Sequence, residues 1–366
     1  MKIALVPGSC VPFDGTTLHN RPLGGTETAV IRLAEALDRL GHKVFVFTQI
    51  ESPPLTKPLF LPYRALQDIG EVDVLIAVRE LLPLFSGVRS KLKYFWTGDS
   101  YDQLQHLGLG DRRVIRTLTS LLAVSNWQAD RLCAISGYPR DRAYILKNGF
   151  APHLFANNTP RNPKKLIYTS TPYRGLAHLP FIFNKIREEV PDAELHVFSS
   201  MRVYDSANAP VAIADKAFEP VFQKLRATPG VIHHGSVTQD KLAEALLSSS
   251  LMVYPNTFEE TSCIAAIESL AAGVPVITSR RGALPETVGD AGIFIEGEPQ
   301  SNGYREQFIR ATVNLLKDKN AWQQLHKRAV ARSLSMTWDS IARGFSERIL
   351  ADLPKGANSQ THQSNV

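Results

Sequence analysis

The stretch Tyr254–Ser279, YPNTFEETSCIAAIESLAAGVPVITS, decides how the chain is read. It begins at the end of the apolar run LMVYPN, continues as small and apolar residues at helical spacing, and closes on the apolar segment PVITS. The pattern predicts strand, helix, strand. Three carboxylates interrupt it: Glu259 and Glu260 at its mouth, and Glu268 eight positions past Glu260. A buried helix has no need of acids, and a solvated one would not be so rich in Ala, Ile and Gly, so a polar ligand is expected against it. Thr261 or Ser262 is the expected N-cap. The helix then starts at the carboxyl end of a strand, where doubly wound sheets bind ligands. Its free N–H groups and positive dipole end suit a diphosphate.

A helical path sets Glu260 and Glu268 about 12 Å apart along the axis, the reach of a sugar–diphosphate–ribose chain. One acid could hold hexose hydroxyls and the other ribose hydroxyls, with the N–H groups of Ser262, Cys263 and Ile264 on the phosphates. The plainer alternative is a capping acid followed by a solvated Glu on a core helix.

Outward from this stretch the same alternation recurs. KIALVP, KVFVFT, VDVLIAV, KYFWTG, TSLLAVS and AYILKNG read as buried strands of the first half, with helices in TETAVIRLAEALDRLGH and NWQADRLCAIS. Continuous apolar strands separated by helices predict a parallel sheet covered on both faces. Residues 150–165, FAPHLFANNTPRNPKK, lose all periodicity and read as a linker. KLIYTS, ELHVFSS, VIHHG, LMVYP, PVITS and AGIFIEG then form a second series. The fold class is α/β, with two doubly wound parallel-sheet domains facing across a cleft. The expected domains are residues 1–155 and 156–336, with a helix over 337–353 returning to the first and a polar, disordered tail over 354–366.

Composition narrows the function classes. The chain has 366 residues and a net charge of +6, with 18 Lys/Arg against 14 Asp/Glu in residues 1–160 and 23 against 21 in the remainder. The basic spots RSKLKYF (89–95) and DRRVIR (111–116) suit an anionic membrane surface or a phosphorylated ligand, or are solvated faces. No basic stripe with interleaved aromatics is present, so no nucleic-acid partner is expected. Cys10, Cys133 and Cys263 are far apart and form no CxxC pair, which fits a reducing, cytoplasmic setting. The longest apolar runs fall short of the roughly 20 residues of a membrane span. Gly24 and Gly25 in PLGGTE precede the first helix and allow close approach of an anion. They are not GxGxxG, which disfavours an NAD enzyme.

Glu260 and Glu268 form E-x7-E, and the segment PNTFEETSCIAAIESLAAGVPVITSRRGALPETV resembles the donor-site signature of the family 4 glycosyltransferases, retaining enzymes of the two-domain GT-B fold. RPLGGTETAVIRLAEALDRLGHKVFVFT resembles the N-terminal glycine loop and first helix of that family, and TSTPYRGLAHL its phosphate-facing loop. The resemblance implies a nucleotide-diphosphate sugar donor, UDP- or GDP-linked, and no essential metal or other cofactor. The acceptor would be a glycan, a lipid-linked molecule or a small molecule. Glu260 would contact the transferred sugar and Glu268 the ribose. Arg174 would neutralise the leaving diphosphate, and Val237 would lie where the base is read.

Two departures stand out. Thr169 and Ser170 replace a second basic residue common in the family, and the N-domain His after the strand KYFW is replaced by the run WTGDSYDQ. Asp99 in that run is either an acceptor-side base or hydrogen-bond partner, or a structural residue at a strand end. His233 and His234 are expected to be structural. Besides a transferase, a nucleotide-sugar epimerase and a non-catalytic sugar-nucleotide-binding subunit fit the same architecture.

Overall fold

The computed structural model describes residues 1–204 and 213–354. The expected tail lies outside them, apart from Pro354. Seven strands form the first sheet: β1 Lys2–Pro7, β2 Lys43–Thr48, β3 Leu59–Pro62, β4 Val72–Val78, β5 Ser90–Thr97, β6 Ser120–Ala123 and β7 Ala143–Ile145. Their order is β3-β2-β1-β4-β5-β6-β7. The second sheet holds β8 Lys165–Tyr168, β9 Glu194–Val197, β10 Val231–His233, β11 Leu251–Tyr254, β12 Val276–Ser279 and β13 Gly292–Ile295, in the order β10-β9-β8-β11-β12-β13. Every strand pair is parallel. Central strands such as β4 and β11 are buried almost throughout, because helices cover both faces.

Each sheet reverses its strand order once, at β1/β4 and at β8/β11. Crossovers leave in opposite directions at such a point, so the loops part and open a crevice beyond the carboxyl ends. The residues after β4 and β5 in one domain face those after β8 and β11 in the other. The result is the GT-B arrangement.

Helix Trp338–Asp352 packs on the first domain. Trp338, Ala342, Phe345 and Ile349 join Val30, Leu33 and Leu37 of helix Gly25–Arg39 in one apolar cluster. Asp339 pairs with Arg39 at 2.6 Å, and the Tyr94 hydroxyl donates to Asp352 at 2.7 Å. Phe150 and Thr337 form a β-bridge, so the two chain crossings between the domains run side by side.

Several elements lie outside the expected series, among them strand β3 and helices Glu219–Ala227 and Lys319–Ser333. Strand β3 is a four-residue edge strand. Helix Lys319–Ser333 buries only Ala329 and Ser333, so its sequence lacks the apolar stripe that announces a helix. The expected linker contains a short 3₁₀ turn, Pro152–Phe155, with Leu154 buried.

Candidate active site

A cleft of about 390 Å³ lies between the domains, lined from both switch points. On the second-domain side the chain leaves β11 through Pro255–Thr261, and Glu260 turns inward with 2% exposure. Oε1 and Oε2 of Glu260 accept from Nη1 of Arg174 at 2.8 and 3.0 Å, and Oε1 also accepts from the Tyr254 hydroxyl. Burial, and then the facing Glu260 carboxylate, holds the Tyr254 hydroxyl well above the ordinary range, so it remains a donor. The Arg174 guanidinium lies 4.7 Å from the Phe258 ring centroid and 5.3 Å from that of Tyr173, cation–π distances that fix its plane.

Backbone packing clamps this loop from two sides. Gly175, at φ +101°, sits so close that a Cβ there would meet the Pro255 carbonyl oxygen at 2.0 Å. Gly282, at φ +57°, would place a Cβ 2.4 Å from the Glu260 carbonyl oxygen, and the next N–H, that of Ala283, donates to that oxygen at 2.6 Å. Only glycine satisfies both conditions at either position.

The helix starts later than the sequence suggests. It spans Ile264–Ala271, and its N-cap is Cys263, with φ 75° and ψ 80°, in place of Thr261 or Ser262. Both residues are engaged elsewhere, Thr261 through its hydroxyl and Ser262 through its backbone. Thr261 Oγ1 donates to the Gly98 carbonyl across the cleft at 2.6 Å, and the Ser262 carbonyl accepts from Thr287. The left-handed turn at Cys263 brings Cys263, Ile264 and Ala265 to the cleft wall, while Ser262 is buried behind it. The N–H groups of Cys263 and Ile264 have no partner among the described residues.

Glu268 is 5% exposed on the first turns of that helix, and its Oε1 accepts from Gln239 Nε2 at 2.9 Å. Burial raises its carboxyl from 4.5 to about 7, against the opposing effects of the Gln239 hydrogen bond and the Arg32 charge. Val237 lines the same end of the cleft with Phe198, Ser199 and Gly235. His234 stacks on Phe198 at 4.3 Å, and His233 meets the Ser199 carbonyl at 2.8 Å, so both histidines buttress this wall.

From the first domain, Gly24 and Gly25 line the cleft opposite. The helix begins at Gly25 itself, with Gly24 as its N-cap, and a Cβ on Gly25 would touch Ile264 Cδ1 at 3.5 Å. Glu27, which the sequence reading passes over, is buried beside Gly24 and also lines the cleft. Its only sequence signal is its place in the first turn after the glycines.

Asp99 follows β5 and lines the cleft. Its Oδ2 pairs with Arg79 Nε at 2.8 Å, its N–H donates to Thr97 Oγ1, and its carbonyl accepts from Gln128. Oδ1 makes no hydrogen bond among the described residues. The nearest histidine in this loop, His106, is turned away, bonded to Thr97 Oγ1 at 2.9 Å and packed on Phe95.

Four buried polar side-chain atoms on the cleft wall lack a partner among the described residues: Trp96 Nε1, Thr169 Oγ1, Thr171 Oγ1 and Ser199 Oγ. Buried polar groups are ordinarily satisfied, and an orphan costs about 1–3 kcal/mol. Their concentration here marks the cleft as built for a polar ligand. Thr169 stands where a second cation was absent from the sequence, so the wall offers a hydroxyl in its place. No group of three or more His, Cys, Asp or Glu among the described residues is placed to hold a metal ion.

Known proteins resemble this chain in sequence and fold. Residues 165–318 match the family model described as Glycosyl transferases group 1. The MMP alpha-(1->4)-mannosyltransferase of Mycolicibacterium hassiacum is 28% identical over 188 residues, 50% of this chain and 42% of that protein. The lipopolysaccharide 1,2-N-acetylglucosaminetransferase of Salmonella typhimurium is 24% identical over 58% of this chain and 57% of its own length. The alignments thus span about half of each relative. The crystal structure of Anabaena HepE in complex with UDP-glucose superposes with a TM-score of 0.68 at 16% identity, covering 96% of this chain and 100% of that one. The described residues therefore carry the GT-B fold, and residues 165–318 carry the sequence pattern of the group 1 glycosyltransferases.

Proposed function

We propose that the protein is a retaining glycosyltransferase that moves a sugar from a UDP- or GDP-linked donor to a hydroxyl of a glycan, lipid-linked or small-molecule acceptor. The setting would be cell-surface polysaccharide, lipopolysaccharide or glycolipid synthesis. The observation that carries the reading is the cleft wall itself: a buried Glu260–Arg174–Tyr254 cluster flanked by unpartnered hydroxyls and two free helix-end N–H groups.

In this reading the bond between the sugar C1 and the diphosphate oxygen breaks, and the bond from C1 to the acceptor oxygen forms on the same face. The acceptor proton passes to the leaving phosphate. Arg174, the N–H groups of Cys263 and Ile264 and the Gly24–Gly25 loop meet the charge that develops on the diphosphate, the kind of preorganised stabilisation worth several kcal/mol. Glu260 accepts from sugar hydroxyls, Glu268 from the ribose, and Asp99 Oδ1 faces the acceptor. Val237 and its neighbours receive the base. No metal is required.

The surface beside the acceptor end supports a peripheral membrane contact. Leu82, Phe85, Leu104, Leu107 and Ile135 are 52–78% exposed. Their segments abut: a Cβ on Gly108 would lie 3.9 Å from Leu81 Cδ1, and one on Gly110 would meet the Ser136 carbonyl. Arg89, Arg112 and Arg116 follow the first two of these segments in sequence, are exposed, and form no ion pair among the described residues. Other cations of the expected basic spots are internally engaged: Lys91 with Asp73, Arg113 with Asp111, and Lys93 with the Leu84 carbonyl. Exposed apolar side chains with exposed arginines in the sequence that follows them fit an anionic bilayer, here the cytoplasmic face of a membrane. No helix among the described residues is long and apolar enough to cross one.

Incubation with a panel of UDP- and GDP-sugars and candidate acceptors tests the reading, with product anomeric configuration read by NMR. A glycoside with the donor's configuration supports it. Conversion of the donor sugar without transfer points to an epimerase, and binding without turnover points to a subunit that only holds the nucleotide sugar.

A further inference from the structure

Arg32 belongs to helix Gly25–Arg39 of the first domain, with 5% of its side chain exposed. Its Nη1 donates to Glu35 Oε2 at 3.0 Å, and its Nη2 donates to Gln239 Oε1 at 2.7 Å. Gln239 opens helix Gln239–Leu247 of the second domain and passes the contact on, its Nε2 donating to Glu268 Oε1 at 2.9 Å. Gln239 and Glu268 line the cleft, whereas Arg32 lies behind it. The three side chains form a line from one domain into the other, buried at Arg32 and Glu268 and half-buried at Gln239.

The chemistry of the groups fixes the direction of this line. A guanidinium only donates, so it must face the carbonyl oxygen of the Gln239 amide, which turns the amide nitrogen toward Glu268. Without Arg32 the amide could rotate and set its oxygen against the carboxylate. With it, Glu268 Oε1 is occupied, while Oε2 makes no hydrogen bond among the described residues.

We propose that Arg32 is a positioning residue for ribose recognition, acting across the domain boundary through Gln239 to hold Glu268 with one oxygen free for a vicinal diol. The proposal rests on the assignment of Glu268 to the ribose. It makes recognition of the nucleotide a joint property of both domains, because the residue that orients the second-domain carboxylate comes from the first. A nucleoside diphosphate then binds fully only when the cleft has its present closure, and its ribose reports that closure.

The test measures binding of UDP and GDP, and of their 2′,3′-dideoxy counterparts, to the full chain by calorimetry. Arg32→Met, Arg32→Lys and Gln239→Met are compared with wild type. The wild type is expected to prefer the ribonucleotide by about tenfold or more, as for losing a charge-assisted hydrogen bond. Arg32→Met and Gln239→Met should shrink that preference to about twofold while affinity for the dideoxy nucleotide holds. Arg32→Lys, which keeps a donor for Gln239 Oε1, should keep part of it. Gln239→Met leaves the Arg32–Glu35 pair in place and serves if Arg32→Met does not fold. A preference that is unchanged in both Met variants overturns the relay, as does a uniform loss of affinity for both nucleotides. A wild type that binds both nucleotides equally overturns the ribose assignment and the relay with it. A wild type that binds neither overturns the proposed function.

Discussion

Nη1 of Arg174 bridges both carboxylate oxygens of Glu260, at 2.8 and 3.0 Å, between the two loops that leave β8 and β11. One side of the pair is buried and the other opens on the cleft, with side-chain exposures of 3% for Glu260 and 23% for Arg174. The pair is thus a structural bond and a chemical one, and variants separate the two roles. Arg174→Ala should lower kcat by about 10²-fold, the scale of losing one preorganised donor. It should also lower Tm, because Glu260 is left buried with only Tyr254 as donor. Arg174→Lys should recover part of the rate, since charge survives and the planar fork does not. Adding Glu260→Gln to Arg174→Ala should restore Tm and not kcat. A turnover within a few-fold of wild type for Arg174→Ala would remove this residue from the leaving group.

Glu268 gives a pH signature with a definite sign. Burial, opposed by Gln239 and Arg32, lifts its carboxyl from 4.5 to about 7. The ionised form accepts ribose hydroxyls, so nucleotide affinity should rise as pH increases through about 7 and level off above it. Stability runs the other way. The folded state holds its proton between pH 4.5 and about 7 while the unfolded chain releases it, so the contribution is full below 4.5 and lost as pH rises through about 7. Glu268→Gln should flatten both curves and raise stability at pH 8 by about 1–3 kcal/mol. Glu268→Ala should abolish most of the Tm rise that a nucleoside diphosphate gives the wild type. Calorimetry and thermal shift across pH 5–8 check these outcomes, and an unchanged shift in Glu268→Ala would place the nucleotide elsewhere.

Transfer should survive excess EDTA. Arg174, with the free N–H groups of Cys263 and Ile264, supplies the positive potential at the diphosphate in the proposed reaction. Turnover that stops on chelation and returns with magnesium or manganese would show that a cation shares this task.

Membrane contact should depend on both parts of the patch. Co-sedimentation with phosphatidylserine-containing vesicles should exceed that with phosphatidylcholine alone and fall with added salt, since exposed charges are screened over about 10 Å at 0.1 M ionic strength. Leu104→Ser with Leu107→Ser should weaken it without altering nucleotide binding. Equal sedimentation with neutral and anionic vesicles would contradict the role of Arg89, Arg112 and Arg116.

Most of the architecture was legible in local sequence. Runs such as VDVLIAV and LMVYP are apolar without alternation because parallel strands are covered on both faces, and this exposed the two-sheet plan. What stayed hidden depends on distant partners. The cap at Cys263 replaced Thr261 because the Thr261 hydroxyl is engaged by Gly98, 163 positions away. Arg32 and Gln239 look like ordinary polar residues of two helices, and only the closed cleft brings them to Glu268. Helix Lys319–Ser333 escaped notice because its buried face is too small to leave a stripe.

Gly175 and Gly282 grip the Pro255–Glu260 segment from either side, each with no room for even one added carbon atom. A saturation library over residues 174–175, 255–260 and 282 would therefore return few folded members, and those clustered around the parent sequence. Variation that retunes which sugar or acceptor is accepted has more freedom in residues 79–89 and 98–103, the parts of the loops after β4 and β5 that carry Arg79 and Asp99 and whose glycines, Gly87 and Gly98, leave room for an added carbon atom. Divergent descendants of this chain would keep one half of the mouth nearly fixed and diversify the other, so that new specificity is written on the first domain while the second stays the same instrument.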